Sequence, residues 1–292
     1  MSLFSEYKKT LKLAAVEEVF DLIFYRPLAF LFVKAIYPTN LTPNQITMLS
    51  IMFGVAAGIV VGLGNSTWFV YAALLFMTYN ILDCSDGQLA RLKNNGSEIG
   101  RLLDGFGDYI VSIFAYFGIG FGFASYTDEP ILYWILTAAA GASNAVQASL
   151  VDYHRNRYLD YAFNREALLE DSYNHFVEEN ERMKKEGGHY FDRFVIWTFF
   201  VYSKAQLIFS KSDTKKIEKK YEAKDFLKRN KVLMHFWTYL GPTTQWTLLI
   251  IFLIFNRIDL YLWTLVIIGN LLAASLTVIQ KRVNRNTKPA VL

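Results

Sequence analysis

The sequence predicts an all-α integral membrane protein. Its form is a six-transmembrane-helix bundle with N-terminal interfacial amphipathic helices and a helical cytoplasmic insertion between spans four and five. Three observations carry this. The 53% hydrophobic content of the 292 residues is gathered into long runs, a membrane pattern. Of the 30 Lys and Arg residues, Arg257 alone falls in the three proposed external turns, 64–66, 125–130 and 256–259, as the positive-inside rule requires. Four aspartates, Asp83, Asp86, Asp104 and Asp108, sit in or beside apolar sequence, where ionisable groups are costly and mark function.

Residues 1–41 form the N-terminal cytoplasmic or interfacial segment. Within it, 5–18 mixes Lys8, Lys9 and Lys12 with Leu11, Leu13 and Val16, an amphipathic helix for an anionic lipid surface. Residues 19–37 are more apolar but carry Asp21, Arg26, Pro27 and Lys34, so a second surface helix is preferred over a first transmembrane span. The first residues are polar and basic, and no cleavable signal peptide is expected.

Residues 42–152 hold spans one to four. Thr42-Pro43-Asn44-Gln45 reads as a capping box with Pro at the first helical position. Span one then runs over 44–63, span two over 67–91, span three over 99–124 and span four over 131–152, each near the roughly 20 residues a bilayer needs. Gly118, Gly120 and Gly122 in span three, and Ala138 to Ser143 in span four, are small enough for close helix approach. Residues 153–236 are densely charged with mixed sign, as solvated helices are, and enclose an apolar run, Phe194–Tyr202, too short to span. The Lys215–Lys220 run suits lipid headgroups or solvent. Residues 237–292 hold spans five and six and a basic cytoplasmic tail, with Gly241-Pro242 marking a kink or a broken first turn. Both termini and the aspartates fall on the cytoplasmic side.

The chemistry lies between residues 83 and 108. Asp83, Asp86 and Ala90 share a helix face with Gly87 and Arg91 beside it, and Gly100, Asp104 and Asp108 recur every fourth residue on the next helix. Packed together, the two helices bring the carboxylates close, so some must protonate or share cations. All-oxygen donors suit Mg2+, Mn2+ or Ca2+ over zinc. Arg91 suits a phosphate. The single cysteine, Cys84, excludes an intramolecular disulfide. His154, His175, His189 and His235 have no metal-ligand spacing, and neither a hydrolase triad nor a nucleic-acid module is present.

Asp83, Asp86, Gly87, Ala90, Arg91, Gly100, Asp104 and Asp108 match D-x2-D-G-x2-A-R-x8-G-x3-D-x3-D at every fixed position. This stretch resembles the signature of the CDP-alcohol phosphotransferase family. The resemblance implies that Asp83, Asp86 and Asp104 ligate metal. Asp108 would be the general base and a further metal ligand. Gly87, Ala90, Arg91 and Gly100, with Asp83, would cradle the cytidine diphosphate, and the cofactor would be Mg2+ or Mn2+, two ions. Asn44 then lies near the nucleotide, although capping alone also explains its position. The implied reaction moves a substituted phosphoryl group from a CDP-alcohol to an acceptor hydroxyl and releases CMP, in membrane phospholipid synthesis and in a homodimer.

Arg101, Arg155 and Arg157 are acceptor candidates for an acidic or phosphorylated alcohol; positive-inside anchoring accounts for them equally well. CDP-diacylglycerol with a soluble alcohol is the preferred pairing. A soluble CDP-alcohol of the choline, ethanolamine or polyol type with a lipid acceptor is the alternative. A cation-coupled transporter is the reading of a different class, although its site belongs nearer the bilayer midplane. The insertion at 153–236 departs from compact family members.

Overall fold

The computed structural model describes residues 3–11, 13–163, 169–209 and 221–290. Among these, all regular structure is helical, apart from one isolated bridge between Tyr221 and Pro289. The helices are α1 (Leu3–Thr10), α2 (Arg26–Ile36), α3 (Pro43–Val61), α4 (Ser66–Lys93), α5 (Glu98–Gly122) and α6 (Pro130–Phe163). They continue as α7 (Leu169–Glu186), α8 (Tyr190–Phe209), α9 (Ala223–Trp237), α10 (Pro242–Ile254), α11 (Ile258–Trp263) and α12 (Asn270–Arg285). A π-helical turn over Thr264–Gly269 joins α11 to α12.

Among the described residues, four segments are long and apolar enough to cross a membrane: Pro43–Val61, Ser66–Lys93, Ile99–Tyr126 and Ile258–Arg285. The stretches expected as spans four and five differ from these. Span four lies in α6, which does not stop at residue 152 but continues to Phe163 through Asp152, His154, Arg155 and Arg157. Span five is divided at Gly241-Pro242, as the proline requires. A 3-10 turn over Thr238–Leu240 ends the chain segment that follows α9, and α10 has 13 residues, about 20 Å of helix.

The N-terminal amphipathic stretch is also more broken than expected. Residues 5–18 are not one helix: α1 ends at Thr10 and a 3-10 turn follows at Ala14–Val16. Lys12, the Lys215–Lys220 run and residues 164–168 lie outside the described residues.

The helix starts obey local chemistry. Thr42 accepts from the backbone N–H of Gln45 while Gln45 Oε1 accepts from the N–H of Thr42 at 3.0 Å, with Pro43 at the first position. Asn65 caps α4 by accepting from Trp68, and Ser97 caps α5 by accepting from Gly100 at 2.9 Å.

Helix α3 packs chiefly on α4 and α5. A Cβ on Gly118 or Gly122 would overlap the carbonyl of Gly58 or Val61, so these glycines serve close approach of α3 and α5 within one chain. The main core lies between α3, α4, α5, α6, α10 and α11, around Phe76, Val111, Ile119, Leu249, Leu253 and Tyr261. A second cluster gathers Val16, Val151, Tyr158, Trp237 and Leu276 where α6, α9 and α12 meet. Outward positions are apolar too: Met52, Phe121, Ile135, Ile268 and Leu271 are each at least 60% exposed, which water would penalise and lipid accepts. In the 153–236 segment, the Phe194–Tyr202 run sits within α8, which covers α5 through Phe106–Phe194 and a cluster of Phe176, Met183 and Ile196 with Leu102.

Candidate active site

Two helices supply the carboxylates. Asp83 and Asp86 project from α4, and Asp104 and Asp108 from α5. The carboxyl of Asp83 is in hydrogen-bond contact with that of Asp104, and those of Asp108 and Asp86 lie close enough to act on it electrostatically. The sequence periodicity brings Asp83 and Asp104 into contact and leaves Asp86 and Asp108 within electrostatic range.

Two further side chains hold the outer members. Thr47 Oγ1 of α3 donates to Asp86 Oδ2 at 2.5 Å, and Tyr79 Oη of α4 donates to Asp108 Oδ1 at 2.5 Å. Tyr79 is fully enclosed, with Phe76 and Trp246 beside it. Sequence reading missed both. Tyr79 lies four residues before Asp83, on the same helix face, so its position carried a signal; Thr47 carried none beyond its helix.

Hard divalent cations match the donor chemistry of four carboxylates, because the electrostatic surroundings of Asp83 are dominated by its three fellow carboxyls. Among the described residues, no group of three or more His, Cys, Asp or Glu side chains is gathered at metal-ligand distances. Asp86 and Asp108 are turned to Thr47 and Tyr79 instead.

The remaining signature residues divide between two faces. Gly100 abuts Asn44: a Cβ there would stand 2.5 Å from Asn44 Oδ1 and 2.9 Å from Ser97 Oγ. Asn44 and Gly100, far apart in sequence, thus meet where α3 and α5 begin. Gly87 leaves room for the Arg91 guanidinium, whose terminal nitrogens would lie 3.4 Å from a Cβ at that position. Arg91 lies within electrostatic reach of Asp86 but is engaged by the N-terminal segment. Its Nε donates to the carbonyl of Thr10 at 2.6 Å, on the α4 face that also presents Cys84 and Gln88 to the N-terminal segment. There Gln88 Nε2 donates to the carbonyl of Arg26, Cys84 donates weakly to Asp21, and Arg26 pairs with Glu17 at 2.9 Å, both side chains buried. Ala90, the neighbour of Arg91, is half-buried, with its Cβ beside Gly96.

The three acceptor candidates are separated. Arg101 is exposed in the first turn of α5. Arg157 donates to Tyr153 Oη at 3.1 Å and lies over the rings of Tyr221 and Phe226. Arg155 bridges Asp152 at 3.3 Å and Glu18 at 3.4 Å. Glu18 in turn accepts from the backbone and hydroxyl of Thr244 at 2.8 and 3.0 Å, capping the first turn of α10 from the far end of the chain. Burial, then the neighbouring Asp21, pushes the Glu18 carboxyl up to about 7, against the pull of Arg155. His154 stacks on Trp237 at 4.3 Å, and burial, then Arg157, pushes it down to about 4, which makes it a packed neutral ring.

A cavity of about 480 Å³ opens beside Asp108. Its walls come from α5, α6 and the start of α10, and include Gly105, Ile113, Trp134, Asn144, Asp152 and Trp246. A buried amide chain stiffens the α6 wall. Asn144 donates to Gln245, Gln245 to Gln147, and Gln147 to the Leu265 carbonyl freed in the π-helical turn and to Asn270, which donates to Ser143.

Residues 40–160 match the model of the CDP-alcohol phosphatidyltransferase family. Over 93 residues the chain is 37% identical to a protein of Helicobacter pylori named CDP-diacylglycerol–serine O-phosphatidyltransferase. That match covers 30% of this chain and 38% of the relative, so the chain spans well under half of that protein's length in the aligned region.

Proposed function

We propose, from the match of residues 40–160 to the model of the CDP-alcohol phosphatidyltransferase family, that the chain makes a membrane phospholipid by transfer from CDP-diacylglycerol to a soluble polar alcohol. The observation that carries this reading is the approach of the four signature aspartates to one another, with Asp108 lining a cavity. The relative named for a serine reaction supports a soluble acceptor.

In the proposed reaction the acceptor oxygen attacks the phosphorus distal to cytidine. The bond from that phosphorus to the bridging oxygen breaks, CMP leaves, and a phosphodiester forms. Asp108 takes the hydroxyl proton, and Tyr79 fixes the orientation of its carboxyl. Asp83, Asp86 and Asp104 would hold Mg2+ or Mn2+, two ions, which when bound neutralise charge on the pyrophosphate. Gly100 and Asn44 border the nucleotide, and Gly87 and Ala90 leave it space. Arg91 reaches a phosphate only by leaving Thr10.

The layout proposed is six spans, with α6 and the α9–α10 pair completing the bundle, and with both termini and the site on the cytoplasmic side. Arg257, the one basic residue of the proposed external turns, is matched by Asp259 through two contacts at 3.0 and 2.9 Å. A homodimer remains part of the proposal, resting on outward apolar faces rather than on Gly118 and Gly122, which serve internal packing.

The test is CMP release by the purified protein with Mg2+. CDP-diacylglycerol and soluble CDP-alcohols are supplied as competing donors against a panel of acceptors. Release from CDP-diacylglycerol with a soluble acceptor supports the reading. Release only from a soluble CDP-alcohol with a lipid acceptor reverses the pairing. Failure of CDP with Mg2+ to raise the melting temperature contradicts a nucleotide site and returns the carboxylates to a transporter.

A further inference from the structure

Helix α8 leaves an aromatic edge uncovered. Tyr190, Phe194 and Trp197 are four and three residues apart, one stripe of the helix, and are 79%, 48% and 58% exposed. Their neighbours Val195 and Ile196 are fully buried. Water penalises a patch of this kind, which marks a surface for a partner or a membrane.

The surroundings identify which. Phe194 meets Phe106 of α5, while Ile196, Phe199 and Phe200 gather with Ile99 and Leu102 nearer the start of that helix. Helix α8 therefore runs opposite to α5, and its first turn points along α5 towards the apolar span. Ile99, Leu102 and Phe106 lie on the face of α5 away from Gly100, Asp104 and Asp108. Beyond Phe106 the same side of α5 carries Tyr109, Ile113, Phe117 and Phe121, all exposed, within a segment apolar enough to cross a membrane. The edge of α8 thus continues an outward apolar stripe.

The charges agree. Lys184 and Lys185 end α7 and are exposed. Gly187 and Gly188 follow in left-handed backbone, at φ 75° and 77°, and a Cβ on either would meet nothing within 4 Å, so the turn stands clear. Its acids, Glu186 and Asp192, lie 4.0 and 3.5 Å from His189. Arg193 flanks the aromatic edge, and its buried Nε has no hydrogen-bond partner among the described residues. A guanidinium so placed keeps its stem on apolar surface and extends to a phosphate.

We propose that the tip of the α7–α8 hairpin is seated in the lipid surface. Tyr190, Phe194 and Trp197 enter the boundary between headgroups and acyl chains, where Trp and Tyr are favoured. Lys184, Lys185 and Arg193 meet headgroup phosphates. The hairpin then ties the lipid surface to the helix that carries Asp104 and Asp108, from the side opposite them. This seating is independent of which reaction the carboxylates perform.

The experiment reconstitutes the full chain in vesicles of phosphatidylcholine and phosphatidylglycerol whose acyl chains are brominated either near the headgroup or near the chain end. Trp197 is one of six tryptophans, so its fluorescence is read as the difference between the wild type and Trp197→Phe. That share is expected to be quenched by bromine near the headgroup at least about twofold more than by bromine at the chain end, and to be shielded from aqueous iodide. Lys184→Glu combined with Lys185→Glu should weaken the quenching by headgroup-proximal bromine about twofold and admit iodide. Quenching of Trp197 by iodide and by neither lipid would overturn the proposal, because the edge would then face water. Shielding from iodide and both lipids would overturn it too, and would assign the edge to a second copy of the chain. Quenching that the lysine reversals leave unchanged would contradict the headgroup contacts.

Discussion

The hydroxyl of Tyr79 donates to Oδ1 of Asp108 at 2.5 Å, one α4 side chain holding the reactive carboxylate of α5. Tyr79→Phe keeps the ring edge-on to Trp246 and removes that hydrogen bond. The expected outcome is a fall in kcat of about tenfold, with CDP affinity unchanged. The pH profile of kcat should also move, because the group that orients and polarises Asp108 is gone. An unaltered kcat and profile would show that Tyr79 only packs.

Gly100 and Asn44 make a second relationship that substitution can separate. Gly100→Ala places a methyl 2.5 Å from Asn44 Oδ1, closer than real contacts allow, so the Asn44 amide must turn away. CDP affinity is expected to fall about tenfold, and Asn44→Ala to fall similarly. If both act through the one amide, the double variant should bind CDP no more weakly than Asn44→Ala alone. Additive losses, measured by titration calorimetry, would mean that Asn44 serves only the helix cap.

Gly241 lies where α10 begins, and a Cβ there would overlap the Glu18 carboxylate. Glu18 is buried and held by Thr244 and Arg155, so it has nowhere to go. Gly241→Ala is expected to cost about 2 kcal/mol of stability. The check is the melting temperature in detergent. An unchanged value would mean that the N-terminal segment does not cap α10.

His154 gives a pH dependence with a definite sign. Its folded pKa, about 4, lies below the ordinary value of 6.5, because burial against Trp237 disfavours the cation. The stability it confers is full above about pH 6.5 and is lost as pH falls towards 4, up to about 3 kcal/mol. Glu18 acts oppositely: its folded pKa is raised from 4.5 to about 7, so its contribution declines as pH rises across that window. The two partly cancel in the wild type. The difference between the wild type and His154→Phe isolates the histidine, and it should shrink on acidification from pH 7 to pH 5. A difference independent of pH would contradict the neutral, stacked ring.

Much of this was legible in the sequence, where short-range chemistry decides. The Thr42–Gln45 capping box formed because its partners are three residues apart. The helix broke at Gly241-Pro242 because proline forbids continuation. The aspartates of α4 and α5 converged because their spacing puts them on facing stripes. What escaped reading depends on contacts between distant segments. No local pattern pairs Glu18 with Thr244, 226 residues apart, or Thr47 with Asp86, 39 residues apart. The direction of Arg91 escaped for the same reason. Its place near Asp86 in sequence says nothing of the Thr10 carbonyl that α1 delivers to its Nε. The single helix expected over residues 5–18 failed where amphipathic composition masked a turn that lets Glu17 and Glu18 point inward.

The most direct test of the central claim compares nucleotide binding with turnover in Asp108→Asn. The wild type is expected to bind CDP in a Mg2+-dependent manner and to release CMP from CDP-diacylglycerol in the presence of an acceptor alcohol. Asp108→Asn should bind CDP with little change and release CMP at least about a hundredfold more slowly, because the base is lost while the nucleotide cradle remains. Full CMP release by Asp108→Asn would contradict the account, since the carboxylate that α4 and α5 bring to the cavity would then have no part in the reaction.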